Sequence, residues 1–162
     1  MSDNYIELYY HIVWPTKNRE PYITPDVEPR LINYLATLSR SMGISMLAMN
    51  GMPDHLHVVC CIPPTLSVSQ VVKDLKAKSA HFINRLEDDR YSLTWQPGYG
   101  ALTFAKRNVD FVVRYVQNQK QHHMTGDLSS NLEKWASNEA LLRQAQSNNT
   151  DLKCPGGTIS RS

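Results

Sequence analysis

The sequence predicts an α+β fold of the ferredoxin-like type. This is a βαββαβ chain whose antiparallel sheet carries helices on one face, followed by a C-terminal helix and a flexible tail. Three observations lead there. Short runs rich in β-branched and aromatic residues are interleaved with longer stretches of helical period. Two of those runs, 44–50 and 55–62, are divided only by the turn residues Gly51-Met52-Pro53-Asp54, which makes them a hairpin. The resulting order is strand, helix, strand, strand, helix, strand, then a further helix.

Each element has its own signal. Tyr5–Trp14 (YIELYYHIVW) is apolar and aromatic enough for a first strand, and PTKNREP after it reads as a turn. From about Pro25, residues Val27, Leu31, Leu35 and Leu38 recur at helical spacing, and Gly43 ends that helix. ISMLAMN is the second strand and His55–Ile62 the third. Pro63 and Pro64 break the third. Ser67 then opens a second helix whose apolar stripe is Val68, Val71, Val72, Leu75, Phe82, Ile83 and Leu86. Tyr99–Phe104 is the fourth strand. Asn108 caps a third helix expected to run to about Met124, with Val109, Val112, Val113 and Val116 facing the core. Leu132–Ala145 is a last amphipathic segment, and the polar residues after it are expected to be disordered.

Length and composition bound the rest. A chain of 162 residues with 41% hydrophobic content suits one compact domain, placed here at 1–124, with a helical extension at 125–146 and a tail at 147–162. Three cysteines, two of them the neighbours Cys60 and Cys61, make neither a disulfide framework nor a CxxC metal spacing, which fits a reducing compartment. No basic leader precedes an apolar run, and no window approaches the ~20 apolar residues of a membrane span. A soluble cytoplasmic protein without a membrane partner is expected. Net charge is only +2, but residues 64–124 hold nine Lys/Arg against five Asp/Glu. A phosphate backbone responds to such local basic surface rather than to total charge.

The chemistry begins at PDHLHVV, residues 53–59. Side chains alternate along a strand, so His55 and His57 point the same way, close enough to hold one ion, while Leu56 and Val58 point into the protein. A hydrogen-bonded structural pair would have the same spacing. In the third helix, Tyr115 and Gln119 stand four apart and share a face beside the valine stripe. A tyrosine there can be a boundary residue with its hydroxyl in water. It can also be a nucleophile, but with a pKa near 10 it needs an electrophile already polarised, which an ion on two histidines would supply. The side-chain oxygen of Gln119 is a candidate third ligand, leaving positions open for phosphate oxygens.

These residues resemble the HUH single-tyrosine transposases, the small enzymes of the insertion-sequence-200 type and their REP-associated relatives. Four stretches carry the resemblance: YYHIVWPTKNREPYIT (9–24), MPDHLHVV (52–59), WQPGYGALTF (95–104) and YVQNQKQHH (115–123). It implies that His55, His57 and Gln119 bind a divalent ion, Mg²⁺ or Mn²⁺, and that Tyr115 is the nucleophile that becomes joined to a DNA 5′ phosphate. It further implies single-stranded DNA with hairpins as substrate and a homodimer as the working assembly. His122 and His123 match the pattern too, and are read here as helix-end residues near exposed carbonyls. Tyr99 is read as structural. Lys73, Lys76, Lys78 and Arg114 are the candidate DNA-backbone contacts. Two rival functions share these residues: a domesticated protein that binds DNA hairpins without cutting them, and a hydrolase in which water is the nucleophile.

Overall fold

The computed structural model describes residues 5–86 and 92–126. The expected C-terminal helix and tail lie outside them. The sheet has four strands, β1 (Tyr9–Pro15), β2 (Ser45–Met52), β3 (His55–Cys61) and β4 (Gly100–Phe104), in the order β2-β3-β1-β4. All neighbours are antiparallel. Helix α1 (Val27–Ser41) joins β1 to β2, and α2 (Val68–Leu86) joins β3 to β4. This is the βαββαβ sheet that the alternation of periods predicts.

The main core lies on one face. Ile12 and Trp14 of β1 and Leu56, Val58 and Cys60 of β3 meet Val27, Leu31 and Leu35 of α1 and Val71, Val72, Leu75 and Ile83 of α2. Burying each of these large side chains contributes roughly 1.5–3 kcal/mol. Tyr34 of α1 stacks on Phe82 of α2, ring centroids 4.1 Å apart, and locks the two helices together. Cys60 is a free thiol in this core, and burial pushes its pKa up to about 12.

The opposite face is covered as well. Helix α3 (Val109–Gln117) packs Val112, Tyr115 and Val116 against Ala48 of β2 and Val59 of β3. A bulge at Leu47 makes this possible, because the β2–β3 register shifts between Met46 and Ala48. Without the extra residue Met46 and Ala48 would share a face; with it, Met46 joins the main core and Ala48 turns toward α3.

Two boundaries differ by more than two residues from the sequence reading. The first strand starts at Tyr9 instead of Tyr5, since residues 5–8 are exposed and have no strand partner among the described residues. The third helix is two: α3 ends at Gln117, Asn118 leaves helical geometry (φ −95°, ψ 16°), and α4 runs Gln119–Thr125. Among the described residues no helix is long and apolar enough to cross a membrane.

Candidate active site

Alternation along β3 turns His55, His57 and Val59 to the side where α3 and α4 lie. His55 is 1% exposed and His57 0%. They lie under a helical cover. Helix α4 adds His123, whose ring centroid is 5.2 Å from that of His55. One ligand nitrogen from each of His55, His57 and His123 lies within 4.8 Å of the others. Nitrogens bound to a common ion at 2.0–2.1 Å in tetrahedral geometry stand roughly 3.3–3.4 Å apart, so the three rings close on an ion by drawing together by at most about 1.5 Å.

The first histidine is oriented from outside. Nδ1 of His55 donates to Oδ1 of Asp54 at 2.6 Å, and Oδ2 of Asp54 accepts from Nε of Arg19 at 3.0 Å. Burial works against the Asp54 charge. The hydrogen bond from His55 and the charge of Arg19 outweigh it and hold the carboxyl below its ordinary value. With Nδ1 committed, Nε2 of His55 keeps its lone pair. That atom is buried and has no hydrogen-bond partner among the described residues. A buried acceptor beside two more imidazoles, with a carboxylate behind it, is the donor set a metal ion requires. The residues fit one.

The second histidine is backed by a third imidazole. Nε2 of His11 in β1 lies 3.0 Å from Nδ1 of His57. Burial lowers the His11 pKa to about 4. Burial also takes His57 well below its ordinary value; protonation of His55, His11 or His123 would push it further, and the Arg19 charge adds to the effect. Both rings are therefore neutral near pH 7, the form that ligates metals.

The break at Asn118 is what brings α4 over these rings. In an unbroken helix the carbonyls of Val116 and Gln117 would accept from amides four residues on. Here the side-chain amide of Asn50 in β2 donates to both, at 2.9 and 3.0 Å, while the Gln121 amide turns back to the carbonyl of Asn118 at 3.0 Å. Asn50 pairs with His57 across the sheet, so the residue that caps α3 stands beside the cluster. Tyr115, at the end of α3, is 6% exposed and stacks on His122, centroids 4.7 Å apart. Gln119, first in α4, is fully buried.

The candidate DNA contacts are scattered. Lys73 and Lys78 are exposed on α2, across the sheet from the histidines. Lys76 is half-buried and spends its ammonium on the carbonyls of Gln96 (2.6 Å) and Gly98 (2.9 Å), fastening the 95–100 loop to α2. Arg114 is exposed on α3, its Nε donating to the Asp110 carbonyl at 3.1 Å. Tyr99 packs against the main core, in keeping with a structural role.

Residues 4–119 match the family described as Transposase IS200 like, which is most of the chain. The chain belongs to the IS200-like transposase family. Its curated relatives include the ISDra2 transposase TnpA of Deinococcus radiodurans, 27% identical over 118 residues, covering 70% of this chain and 84% of that protein. The transposase for insertion sequence element IS200 of Salmonella typhimurium is 27% identical over 123 residues, covering 73% and 80%. Among solved structures, a candidate transposase from D. radiodurans R1 superposes with TM-score 0.57 at 26% identity, over 74% of this chain and 96% of that one. The structure of a REP-associated tyrosine transposase bound to a REP hairpin superposes with TM-score 0.56 at 15% identity, over 99% and 100%, a likeness of fold. Within this transposase family match lie His55, His57, Tyr115 and Gln119; His123 falls just past its end.

Four residues of the site were not singled out by the sequence reading: His11, Asn50, Asp54 and Arg19. His11 had a signal, a lone histidine in the apolar run YYHIVW. The sequence reading puts His123 at a helix end near exposed carbonyls, because the break at Asn118 has neither glycine nor proline to announce it.

Proposed function

We propose that this transposase cleaves and rejoins single-stranded DNA at hairpin-bearing ends, through a 5′-phosphotyrosine intermediate on Tyr115. The observation that carries the reading is the gathering of His55, His57 and His123 on the sheet face covered by the helices that bear Tyr115 and Gln119. Family membership supports DNA strand transfer, and the fold it shares with a protein solved on a REP hairpin supports a hairpin substrate.

The residues that would hold a divalent ion are His55, His57 and His123, with the Gln119 side chain as an oxygen donor. Bound there, the ion would neutralise charge on the scissile phosphate, and three imidazoles favour Mn²⁺ over Mg²⁺. Tyr115 supplies the nucleophile. Its phenolic oxygen forms a bond to phosphorus, the P–O3′ bond breaks, and the phenolic proton passes to the departing 3′ oxygen. The products are a Tyr115 5′-phosphodiester and a free 3′ hydroxyl, so neither water nor a nucleotide cofactor is consumed. A 3′ hydroxyl from another end reverses the exchange and rejoins the strand. Excision cuts two ends and each chain offers one such tyrosine, so a homodimer is the economical assembly.

Incubation of the protein and Mn²⁺ with labelled single-stranded DNA from the flanks of its gene, followed by a denaturing gel, tests this. A covalent protein–DNA band is expected. Free cleaved strands without an adduct would point to a water nucleophile, and hairpin retention in a native gel without cleavage to a binding protein.

A further inference from the structure

The tight turn after β1 holds two successive non-glycine residues in the left-handed region, Asn18 at φ 55° and Arg19 at φ 59°. Side chains there crowd their own backbone, so such geometry persists only where its surroundings impose it. They do so here. The Asn18 amide donates to Oε1 of Gln96 (3.1 Å), the Lys17 amide to the Thr94 carbonyl (2.8 Å), and the Arg19 amide to the Thr16 carbonyl (3.1 Å). The buried Thr16 hydroxyl reaches the carbonyls of Glu20 (2.6 Å) and Asp54 (3.1 Å). Glycine would make this turn without strain. An arginine held there instead needs a reason in its side chain.

That side chain reaches the carboxylate behind His55, and its charge is felt at His57. Nε is anchored 3.0 Å from Oδ2 of Asp54, the carboxylate that orients His55 through its other oxygen. Nη1 is buried and has no hydrogen-bond partner among the described residues. A buried guanidinium donor with nothing to bond is costly unless a ligand completes it. The side chain as a whole is 37% exposed, so a small turn of its fork opens Nη1 to a ligand from solvent. The missing partner must be an acceptor, preferably anionic, and a phosphate oxygen suits a guanidinium best.

We propose that Arg19 binds the scissile phosphate beside the histidine cluster, with Asp54 fixing one side of its guanidinium and the phosphate completing the other. The assignment rests on the strand-transfer reading above and adds a substrate-touching residue to it. Arg19 then donates to the phosphate oxygens as charge builds on them, while Asp54 keeps His55 and Arg19 in one frame.

The test uses Arg19→Gly, which fits the left-handed turn and should fold, and Arg19→Lys, which keeps the charge but loses the fork. Calorimetry of the Mn²⁺-loaded protein with inorganic phosphate is the first readout. Arg19→Gly should bind phosphate about tenfold or more weakly, with Arg19→Lys between it and the parent. Calorimetry of Mn²⁺ itself is the second, and its affinity should stay within about threefold, since His55 keeps Asp54. Strand cleavage should fall on the order of a hundredfold in Arg19→Gly and recover in part with added guanidinium. Unchanged phosphate affinity in Arg19→Gly overturns the proposal, as does failure of the parent to bind phosphate. So does a loss of Mn²⁺ affinity matching the loss of cleavage, which would mean that Arg19 acts only through Asp54. Phosphate binding that depends on Arg19 in a protein that never cleaves DNA would sink the strand-transfer reading and leave the phosphate assignment standing.

Discussion

His11 and His57 lie nearly parallel, 10° apart in ring plane, with Nε2 of one 3.0 Å from Nδ1 of the other and neither ring more than 1% exposed. In a neutral pair one nitrogen donates and the other accepts. If Nδ1–H of His57 donates to Nε2 of His11, the lone pair of His57 is left on Nε2, the nitrogen available to a metal. His11 then selects a tautomer as Asp54 does for His55.

Removing that partner should weaken the metal site without touching a ligand. His11→Ala is expected to lower Mn²⁺ affinity about 10- to 100-fold by calorimetry, and His11→Gln, whose side-chain oxygen can reach the same acceptor position, should recover part of it. Equal affinity in all three proteins would show that the His11 contact is packing alone.

The two adjacent histidines of α4 should separate cleanly. His123 meets His55 and His57, whereas His122 stacks on Tyr115. His123→Ala should lose Mn²⁺ affinity by tenfold or more, while His122→Ala binds the ion as the parent does. The opposite pattern would mean that α4 sits one residue out of register from its functional position.

How much of this was visible in the chain can be judged residue by residue. The sheet was legible because period two and period 3.6 alternate plainly, and the same-face placement of His55 and His57 follows from alternation alone. The third ligand was harder. Taking Val109–Met124 as one helix sends His123 to the helix end, and Asn50, more than sixty residues earlier in the chain, replaces hydrogen bonds that the break forgoes. Long-range capping leaves no local trace. Nor does the bulge at Leu47 that turns Ala48 and Asn50 toward α3.

Asn50→Ala should therefore do two things at once. Leaving the Val116 and Gln117 carbonyls without their donor is expected to cost about 1–2 kcal/mol, a drop of several degrees in Tm. Mn²⁺ affinity should fall in parallel, because α4 loses the cap that positions His123. A lower Tm with unaltered metal binding would assign Asn50 to stability only.

Acid should unfold the metal-free protein early. Unfolded imidazoles titrate near 6.5, whereas burial holds folded His11 at about 4 and His57 well below its ordinary value. The unfolded chain thus takes up protons that the folded one refuses. The stability these neutral rings contribute is complete above about pH 6.5 and is lost as pH falls toward 4, roughly 3 kcal/mol for His11 alone. Urea titrations at pH 7.5, 5.5 and 4.5 should show that decline, and Mn²⁺ should offset it at the higher values, where the ligands are still unprotonated. A flat profile would contradict the burial of neutral histidines.

Tyr115→Phe isolates the chemical step. The ring sits among Ala48, Val59, Val112 and Val116 and stacks on His122, contacts that phenylalanine keeps, so folding, Mn²⁺ affinity and hairpin binding should match the parent. Only the oxygen that would carry the phosphate is gone, so the covalent band on a denaturing gel should vanish with it. A water nucleophile forecasts the reverse, since strands would still be cut at close to the parent rate. The parent adduct can also be placed directly, because digestion and mass spectrometry should find the nucleotide on the peptide containing YVQNQK. An adduct on Tyr99 would overturn the assignment even in an enzyme that cuts DNA, because Tyr99 packs with the main core on the other face of the sheet, away from His55, His57 and His123.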